Sequence, residues 1–115
     1  MQKLSEIETR VLEETLRQSD AEEQILDANS NKPLVYHKEH KQLSLIIAGR
    51  GYAQVGDEVY PVERGSVVMF EENTMHSFLC MEGKMTLLHI HTPKIYGDED
   101  WYMAQEISEK WRPFL

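Results

Sequence analysis

Short apolar runs separated by turn residues extend over most of the chain, and this pattern predicts β-strands. The strands are expected at residues 34–38, 42–48, 51–55, 58–62, 66–70, 77–81 and 85–91. The connections between them are rich in glycine, aspartate and asparagine, which favour tight turns. Pro61 lies inside one run, which indicates an edge or bulged strand, because proline cannot donate a ladder hydrogen bond. The pattern therefore predicts an all-β fold, an antiparallel sandwich or barrel.

The N-terminal residues follow a helical period instead. Ser5 and Glu8 have the spacing of a capping box, in which each side chain bonds the other residue's amide. Ile7 and Val11 recur on one helical face that Leu16 widens, and these three residues are expected to pack against the sheet. An amphipathic helix is therefore predicted over residues 5–17.

Two further helical pieces are expected near the ends of the sheet region. One is a short helix over residues 20–26, and the other is a tail helix over residues 101–110. These elements divide a single domain into an N-terminal helical segment at 1–28, a β-barrel at 29–93 and a C-terminal tail at 94–115.

Composition and charge exclude several classes of function. The chain has 115 residues, of which 41% are apolar and 28% charged, as expected for one globular domain. Its formal net charge of −8 disfavours binding to nucleic acid. No apolar run approaches the roughly 20 residues that span a bilayer, and no signal-peptide core is visible. Cys80 is the single cysteine, so no internal disulfide can form. These features predict a cytoplasmic protein with no membrane or nucleic-acid partner.

The stretch from Gly65 to His76 resembles the second motif of the cupin superfamily. Gly65 and His76 stand at the motif's leading glycine and its histidine. Glu71 stands where proline is usual, Asn73 where glycine is usual, and Cys80 where asparagine is usual. Asn73 is a reasonable substitute, because asparagine tolerates the left-handed backbone conformation. The resemblance covers about residues 29–93 and implies a small cupin-type antiparallel β-barrel or jelly roll.

The first cupin motif is matched less completely. Counting back from Gly49, the usual glutamate ligand falls on Gln42 and the usual pair of histidines falls on Val35 and His37. The leading glycine of the motif falls on Asn29. The resemblance therefore implies no metal role for Val35.

The resemblance implies that His37, Gln42 and His76 bind a divalent metal ion, which in cupins is Fe, Mn, Ni or Zn. Imidazoles and oxygen donors on adjacent strands can converge on one such ion. His40 and His89 are candidates for a fourth ligand or for the catalytic acid–base group. His91 shares a strand face with His89 and could add a donor.

Structural roles are the alternative for each of these histidines. His37 and His40 lie in a cluster of charged residues at 37–41 that is compatible with a solvated strand entry. His76 could serve only as a hydrogen-bonding residue in its turn, and His89 could be structural.

Two classes of function follow from the resemblance. The first is a metal-dependent cupin enzyme acting on a small polar metabolite, as an isomerase, a dioxygenase or a sugar-processing enzyme. The second is a non-enzymatic cupin that binds or senses a small, sugar-like molecule without metal. A metal-free isomerase or epimerase that uses histidine and tyrosine is a third possibility.

A homodimer is also expected. The strand at 42–48 carries apolar residues on both faces, so its outer face must be covered. A partner subunit would supply that cover, and the alternative is that the helix and the tail fold back over the sheet.

Overall fold

Two antiparallel five-stranded sheets pack face to face in the computed structural model of this chain, which describes residues 1–97 and 99–115. The strands are β1 (Gln2–Lys3), β2 (Glu22–Leu26), β3 (Leu34–Tyr36), β4 (Lys41–Ala48), β5 (Arg50–Val55), β6 (Glu58–Glu63), β7 (Ser66–Phe70), β8 (His76–Leu79), β9 (Met85–Thr92) and β10 (Tyr102–Gln105). The first sheet has the order β1-β7-β4-β9-β2, and the second has the order β10-β3-β8-β5-β6. Helix α1 (Glu6–Gln18) follows β1, and a 3₁₀ helix (Glu109–Phe114) ends the chain.

The predicted all-β fold is confirmed, and so are the strands predicted between residues 34 and 91. Alternation along each strand and glycine turns between strands are local signals, which explains why the pattern located them. Pro61 lies in β6, which is an edge strand of the second sheet, as the proline indicated. No helix in the described part of the chain is long and apolar enough to cross a membrane.

The core between the sheets is apolar toward one end. Ile46 of β4 and Leu87 of β9 are paired in register and are both fully buried. Cys80 is 2% exposed and belongs to this core, as a small buried residue. The other members of this cluster are Leu26, Ala53, Val62, Val68, Phe70, Phe78 and Met85.

Helix α1 begins where the capping box predicted. The Ser5 hydroxyl accepts from the Glu8 amide at 3.1 Å, and the Glu8 carboxylate accepts from the Ser5 amide at 2.9 Å. The expected packing face is confirmed only for Leu16, which faces the sheet and is 5% exposed. It was wrong for Ile7 and Val11, which are 70% and 61% exposed.

The outer face of the first sheet is covered by α1. Leu45, Ile47, Val67 and Leu88 project from this face and form a second buried cluster with Leu16 of the helix. A partner subunit was expected to cover these apolar side chains, but helix α1 of the same chain covers them. The homodimer stays a prediction, with a different physical basis.

One predicted helix is wrong, and the short C-terminal helix lies later in the chain than expected. Residues 22–26 form the strand β2, which pairs with β9 from Glu22↔His89 to Leu26↔Met85. Its sequence, Glu-Glu-Gln-Ile-Leu, consists of good helix formers, so only pairing with β9 makes it a strand. In the tail, residues 102–105 form β10 against β3, and the helical turn comes later, at Glu109–Phe114.

Gly65 of the cupin-like motif has a clear structural reason. Its φ is +91°, and a Cβ there would lie 2.8 Å from the Thr9 hydroxyl and 3.0 Å from the Leu4 carbonyl oxygen. A side chain at Gly65 would therefore push α1 away from the sheet. Asn73, in the turn before His76, has φ +63°, as expected for asparagine in place of glycine.

Candidate functional site

A cavity of about 290 Å³ opens beside the apolar core, and Leu26 and Phe78 belong to both. It is lined by residues of β2, β3, β4, β8 and β9, by the connection between β2 and β3, by His37 and by the segment that follows β9. Its polar lining consists of Glu22, Gln24, Asn31, His37, Gln42, His76, Ser77, His89, His91 and Glu99. Its apolar lining consists of Leu26, Pro33, Val35, Phe78, Ile95 and Trp101. This volume suits a small molecule.

Register explains why the polar residues of β4 and β9 meet. Gln42 lies directly opposite His91, and Ser44 lies directly opposite His89. Because alternate residues share a face, all of these side chains project between the sheets.

The amide of Gln42 is oriented by its buried neighbours. Its Nε2 lies 2.9 Å from the Ser44 hydroxyl and 3.2 Å from His89 Nδ1. The Ser44 hydroxyl also contacts His89 Nδ1 at 2.7 Å, and His89 Nε2 contacts Gln24 Oε1 at 2.7 Å. In this arrangement His89 donates from Nε2 and accepts at Nδ1, so Gln42 directs its oxygen toward the cavity.

Two histidines meet that oxygen. His37 Nε2 lies 3.1 Å from Gln42 Oε1, and His91 Nε2 lies 3.0 Å from the same atom. His37 Nδ1 lies 2.8 Å from the main-chain oxygen of Asp100, and it must donate there because a carbonyl oxygen only accepts. In neutral His37 the lone pair is therefore on Nε2 and faces the lone pairs of Gln42 Oε1. Two acceptors at this distance require a shared proton or cation between them.

His76 approaches the same region from β8. Its Nδ1 donates to the Thr74 carbonyl oxygen at 3.0 Å, which leaves the lone pair of the neutral ring on Nε2. Its ring stacks on Phe70 with 4.4 Å between centroids, and it lies 5.2 Å from the ring of His37. The Asn73 amide donates to the His37 carbonyl oxygen at 2.6 Å, so the turn before His76 is attached directly to His37.

Burial keeps these imidazoles neutral. It lowers the pKa of His76 to about 4, with smaller contributions from the neighbouring His37 and His91. Burial, then His37 and His40, lowers the pKa of His91 to about 4. Burial lowers the pKa of His89 to about 3. At neutral pH these rings can therefore use their lone pairs as ligands or as hydrogen-bond acceptors.

His40 does not line the cavity. It is 4% exposed, and its Nδ1 lies 2.5 Å from the Asp100 carboxylate. Burial raises the pKa of Asp100, but hydrogen bonds from His40 and from the amides of Glu39 and Lys38 outweigh this effect and lower that pKa to about 2. Asp100 is therefore an ionised acceptor.

The structure thus brings His37, Gln42 and His76 to one cavity, and it places His89 there as well. His89 uses both ring nitrogens within the protein, and His40 lies outside the lining. The metal and catalytic roles of these residues stay predictions.

His91 was expected from the sequence as a possible further donor, because it shares the inward face of β9 with His89, and it lines the cavity. Asp100 was not assigned from the sequence. Asp100 carried no local sequence signal, because its partners lie far away in the chain, at residues 37–40, and one of its four hydrogen bonds uses its main-chain oxygen.

The donor set fits a divalent transition metal in its chemistry, since neutral imidazoles and an amide oxygen are suitable ligands. Among residues 1–97 and 99–115, no three histidine, cysteine, aspartate or glutamate side chains are grouped so that they could hold a metal ion by themselves. The oxygen of Gln42 is therefore central to any metal site here.

The sequence profile of the family described as "Cupin domain" matches residues 23–91. This match covers more than half of the chain. The chain belongs to the cupin family. The matched range includes most of β2, so the strand that was predicted as a helix belongs to the cupin domain.

Solved structures support the fold. The capsular polysaccharide assembling protein CapF from Staphylococcus aureus is 17% identical, with a TM-score of 0.64 over 74% of this chain, which spans 28% of the CapF chain. The ectoine synthase of P. lautus is 21% identical, with a TM-score of 0.59 over 76% of this cupin and 67% of the synthase. A predicted oxalate decarboxylase from Thermotoga maritima is 18% identical, with a TM-score of 0.56 over 66% of this chain and 70% of its own. Identities this low show a shared fold alone. No curated protein matches the sequence significantly.

Proposed function

We propose that this cupin binds a divalent metal ion in its cavity, through His37, Gln42 and His76, and acts there on a small polar metabolite. His91 joins them as a further donor. The contact between His37 Nε2 and Gln42 Oε1, at 3.1 Å, carries the proposal. Ligands bound to one ion about 2.1 Å away at a right angle would be separated by about 3 Å. The spacing of these two lone-pair donors is therefore the spacing of neighbouring ligands.

The chain's own residues would place the metabolite. Because the lone pairs of His76 and His91 would bind the ion, contacts to the metabolite would come from other lining residues, among them Glu99 and Trp101. A bound divalent ion would polarise a carbonyl or hydroxyl oxygen of the metabolite. His89, with both ring nitrogens engaged, is proposed to hold Gln42 rather than to transfer protons.

The proposed reaction is an isomerisation, a dioxygenation or a sugar-processing reaction. Two of the similar solved structures carry enzyme names, ectoine synthase and a predicted oxalate decarboxylase, which is compatible with an enzymatic role. No lysine or arginine belongs to the described lining of the cavity, so no fixed cation is provided for a phosphate or carboxylate group.

The second candidate is metal-free binding of a small molecule, and one observation favours it. Every buried side-chain nitrogen and oxygen in the described residues lies within hydrogen-bonding distance of a polar partner without any ion. A half-turn of the Gln42 amide would let its Nε2 donate to His37 and His91. The two candidates thus differ in which atom of Gln42 faces the histidines.

Isothermal titration of chelator-treated protein with Zn²⁺, Ni²⁺ and Mn²⁺ separates these candidates. We expect one ion per chain for at least one of these metals, and an affinity at least ~10-fold weaker in Gln42→Met, which keeps the volume but loses the amide. Gln42→Glu supplies a carboxylate and should bind more tightly. Gln18→Met, at the exposed end of α1, is the matched control and should bind like the unmodified protein. Equal binding by Gln42→Met and the control would exclude the proposed ligand set.

A homodimer is part of the proposal, on the basis of side chains that α1 leaves uncovered. Met69 on the outer face of the first sheet is 69% exposed, and Ile25 on the edge strand β2 is 57% exposed. Together with Ile7 and Val11 of α1, these side chains would be buried by a second copy.

A further inference from the structure

Residue Asp100 makes contacts of two kinds with the segment that carries His37. Its carboxylate accepts from the Lys38 amide at 2.9 Å, from the Glu39 amide at 2.7 Å and from His40 Nδ1 at 2.5 Å. Its main-chain oxygen accepts from His37 Nδ1 at 2.8 Å. One residue of the tail therefore fixes four consecutive residues at the edge of the cavity.

The backbone at Asp100 is in the left-handed region, with φ +54°. Aspartate tolerates this conformation better than most residues, but it is still unfavourable and has to be maintained by contacts. The contact between His40 and Asp100 is largely withdrawn from solvent, since these side chains are only 4% and 5% exposed. Hydrogen bonds to an ionised carboxylate are among the stronger ones in proteins.

The consequence concerns the proton on His37. Free neutral imidazole can carry its proton on either nitrogen, and the hydrogen bond made by one nitrogen decides the chemistry of the other. The Asp100 oxygen keeps the proton on Nδ1, and so it leaves Nε2 unprotonated, 3.1 Å from Gln42 Oε1.

We propose that Asp100 is a positioning residue for His37: its carboxylate fixes the 38–40 turn, and its main-chain oxygen then selects the His37 tautomer whose Nε2 faces the cavity. This inference rests on the proposed function only for what the tautomer is used for, which is metal binding. The tautomer itself is a property of the metal-free protein. It also assigns His40 a role, as a donor that holds the Asp100 carboxylate rather than as a catalytic acid or base.

The contact can be removed without changing the cavity lining. Asp100→Ala deletes the carboxylate and keeps the main-chain oxygen, and Asp100→Asn keeps the shape and loses the second acceptor and the charge. Asp57→Asn, in the exposed turn between β5 and β6, is the matched control.

The first measurement is the histidine ¹H–¹⁵N long-range correlation spectrum of metal-free protein at pH 8, with the His37 signals assigned by their loss in His37→Asn. Unmodified protein and Asp57→Asn should show His37 with its proton on Nδ1. Asp100→Ala and Asp100→Asn should show a mixture with a large Nε2–H population. A His37 that keeps the Nδ1–H form in both Asp100 variants would overturn the proposal.

The second measurement is the affinity for Ni²⁺. Loss of a residue that orients a metal-bound histidine typically weakens binding by about 10–100-fold, and that is the loss expected for both Asp100 variants. Asp57→Asn should bind like the unmodified protein. If the unmodified protein binds no metal but the tautomer changes in the Asp100 variants, the metal function fails while the positioning role of Asp100 stands. If Asp100→Ala does not fold, Asp100→Asn alone decides between these outcomes.

Discussion

The inward faces of β4 and β9 differ sharply between their two ends. At one end, Ile46 pairs with Leu87, and both are fully buried in the apolar core. At the other end, Ser44 pairs with His89 and Gln42 pairs with His91, around a cavity. The same strands, ladder and alternation thus support two opposite environments.

The polar end contributes less to the stability of the fold than the apolar end. A buried apolar pair stabilises the fold simply by leaving water, at roughly 25 cal/mol per Å² of apolar area. Buried imidazoles and an amide do not gain in this way, and hydrogen bonds to their neighbours mainly offset the loss of water. The buried polar network between the two sheets is therefore best explained by the functional site that these side chains form.

The largest expected effect comes from the apolar end. Leu87→Ala removes a fully buried side chain and leaves a cavity, so the free energy of unfolding should fall by about 2–5 kcal/mol. Urea unfolding followed by circular dichroism measures this loss. A loss below about 1 kcal/mol would contradict the description of this end as the close-packed core.

Acid should destabilise the polar end. Burial lowers the pKa of folded His89 to about 3, whereas unfolded histidine has a pKa of about 6.5. Between these values the unfolded state binds the extra proton, so the stability contributed by neutral His89 is complete above about pH 6.5 and is lost as the pH falls toward 3. At pH 4.5 the loss should be on the order of 2–3 kcal/mol relative to pH 7.

A difference curve isolates this effect from the carboxylates. Unfolding free energies of the unmodified protein and of His89→Gln should be compared from pH 7 to pH 4.5. The variant should lose clearly less stability over this range, since glutamine does not titrate. Parallel curves would mean that folded His89 titrates normally.

Replacing a polar residue by an apolar one should separate stability from binding. His91→Leu removes a half-buried imidazole that contacts Gln42 Oε1 through Nε2, and His37 remains as a partner of that oxygen, so the free energy of unfolding should change by less than about 1 kcal/mol. Metal affinity should nevertheless fall by at least ~10-fold. Unchanged Ni²⁺ affinity in His91→Leu would remove this residue from the proposed donor set.

The smallest effect on stability is expected on the outer face of the same sheet. Met69→Glu changes an exposed side chain and should alter the free energy of unfolding by at most about 0.5 kcal/mol. If a second copy covers this face, the variant should sediment as a monomer while the unmodified protein sediments as a dimer at micromolar concentration. A single species at the 13.5 kDa monomer mass for the unmodified protein would end the dimer proposal.

The sequence was a good guide where the signal was local. Strands between residues 34 and 91 followed from alternation and turn residues, and the helix start followed from Ser5 and Glu8. Residues 22–26 could not be predicted correctly, because pairing with β9 overrides their helical preference.

The site shows the same limit. Motif spacing brought out His37, Gln42 and His76, which lie at one cavity. The orientation of Gln42 depends on Ser44 and His89 of two paired strands, and the proton position on His37 depends on Asp100 in the tail. These are contacts between distant parts of the chain that no local pattern records.

The most direct test of the central claim is elemental analysis of the protein purified without chelator, together with His76→Ala prepared in the same way. The proposed ligand set predicts close to one transition-metal ion per chain in the unmodified protein and strong depletion in His76→Ala. Protein that carries no metal, and whose melting temperature is unchanged by added Zn²⁺, Ni²⁺, Mn²⁺ or Fe²⁺, would contradict it and favour metal-free binding.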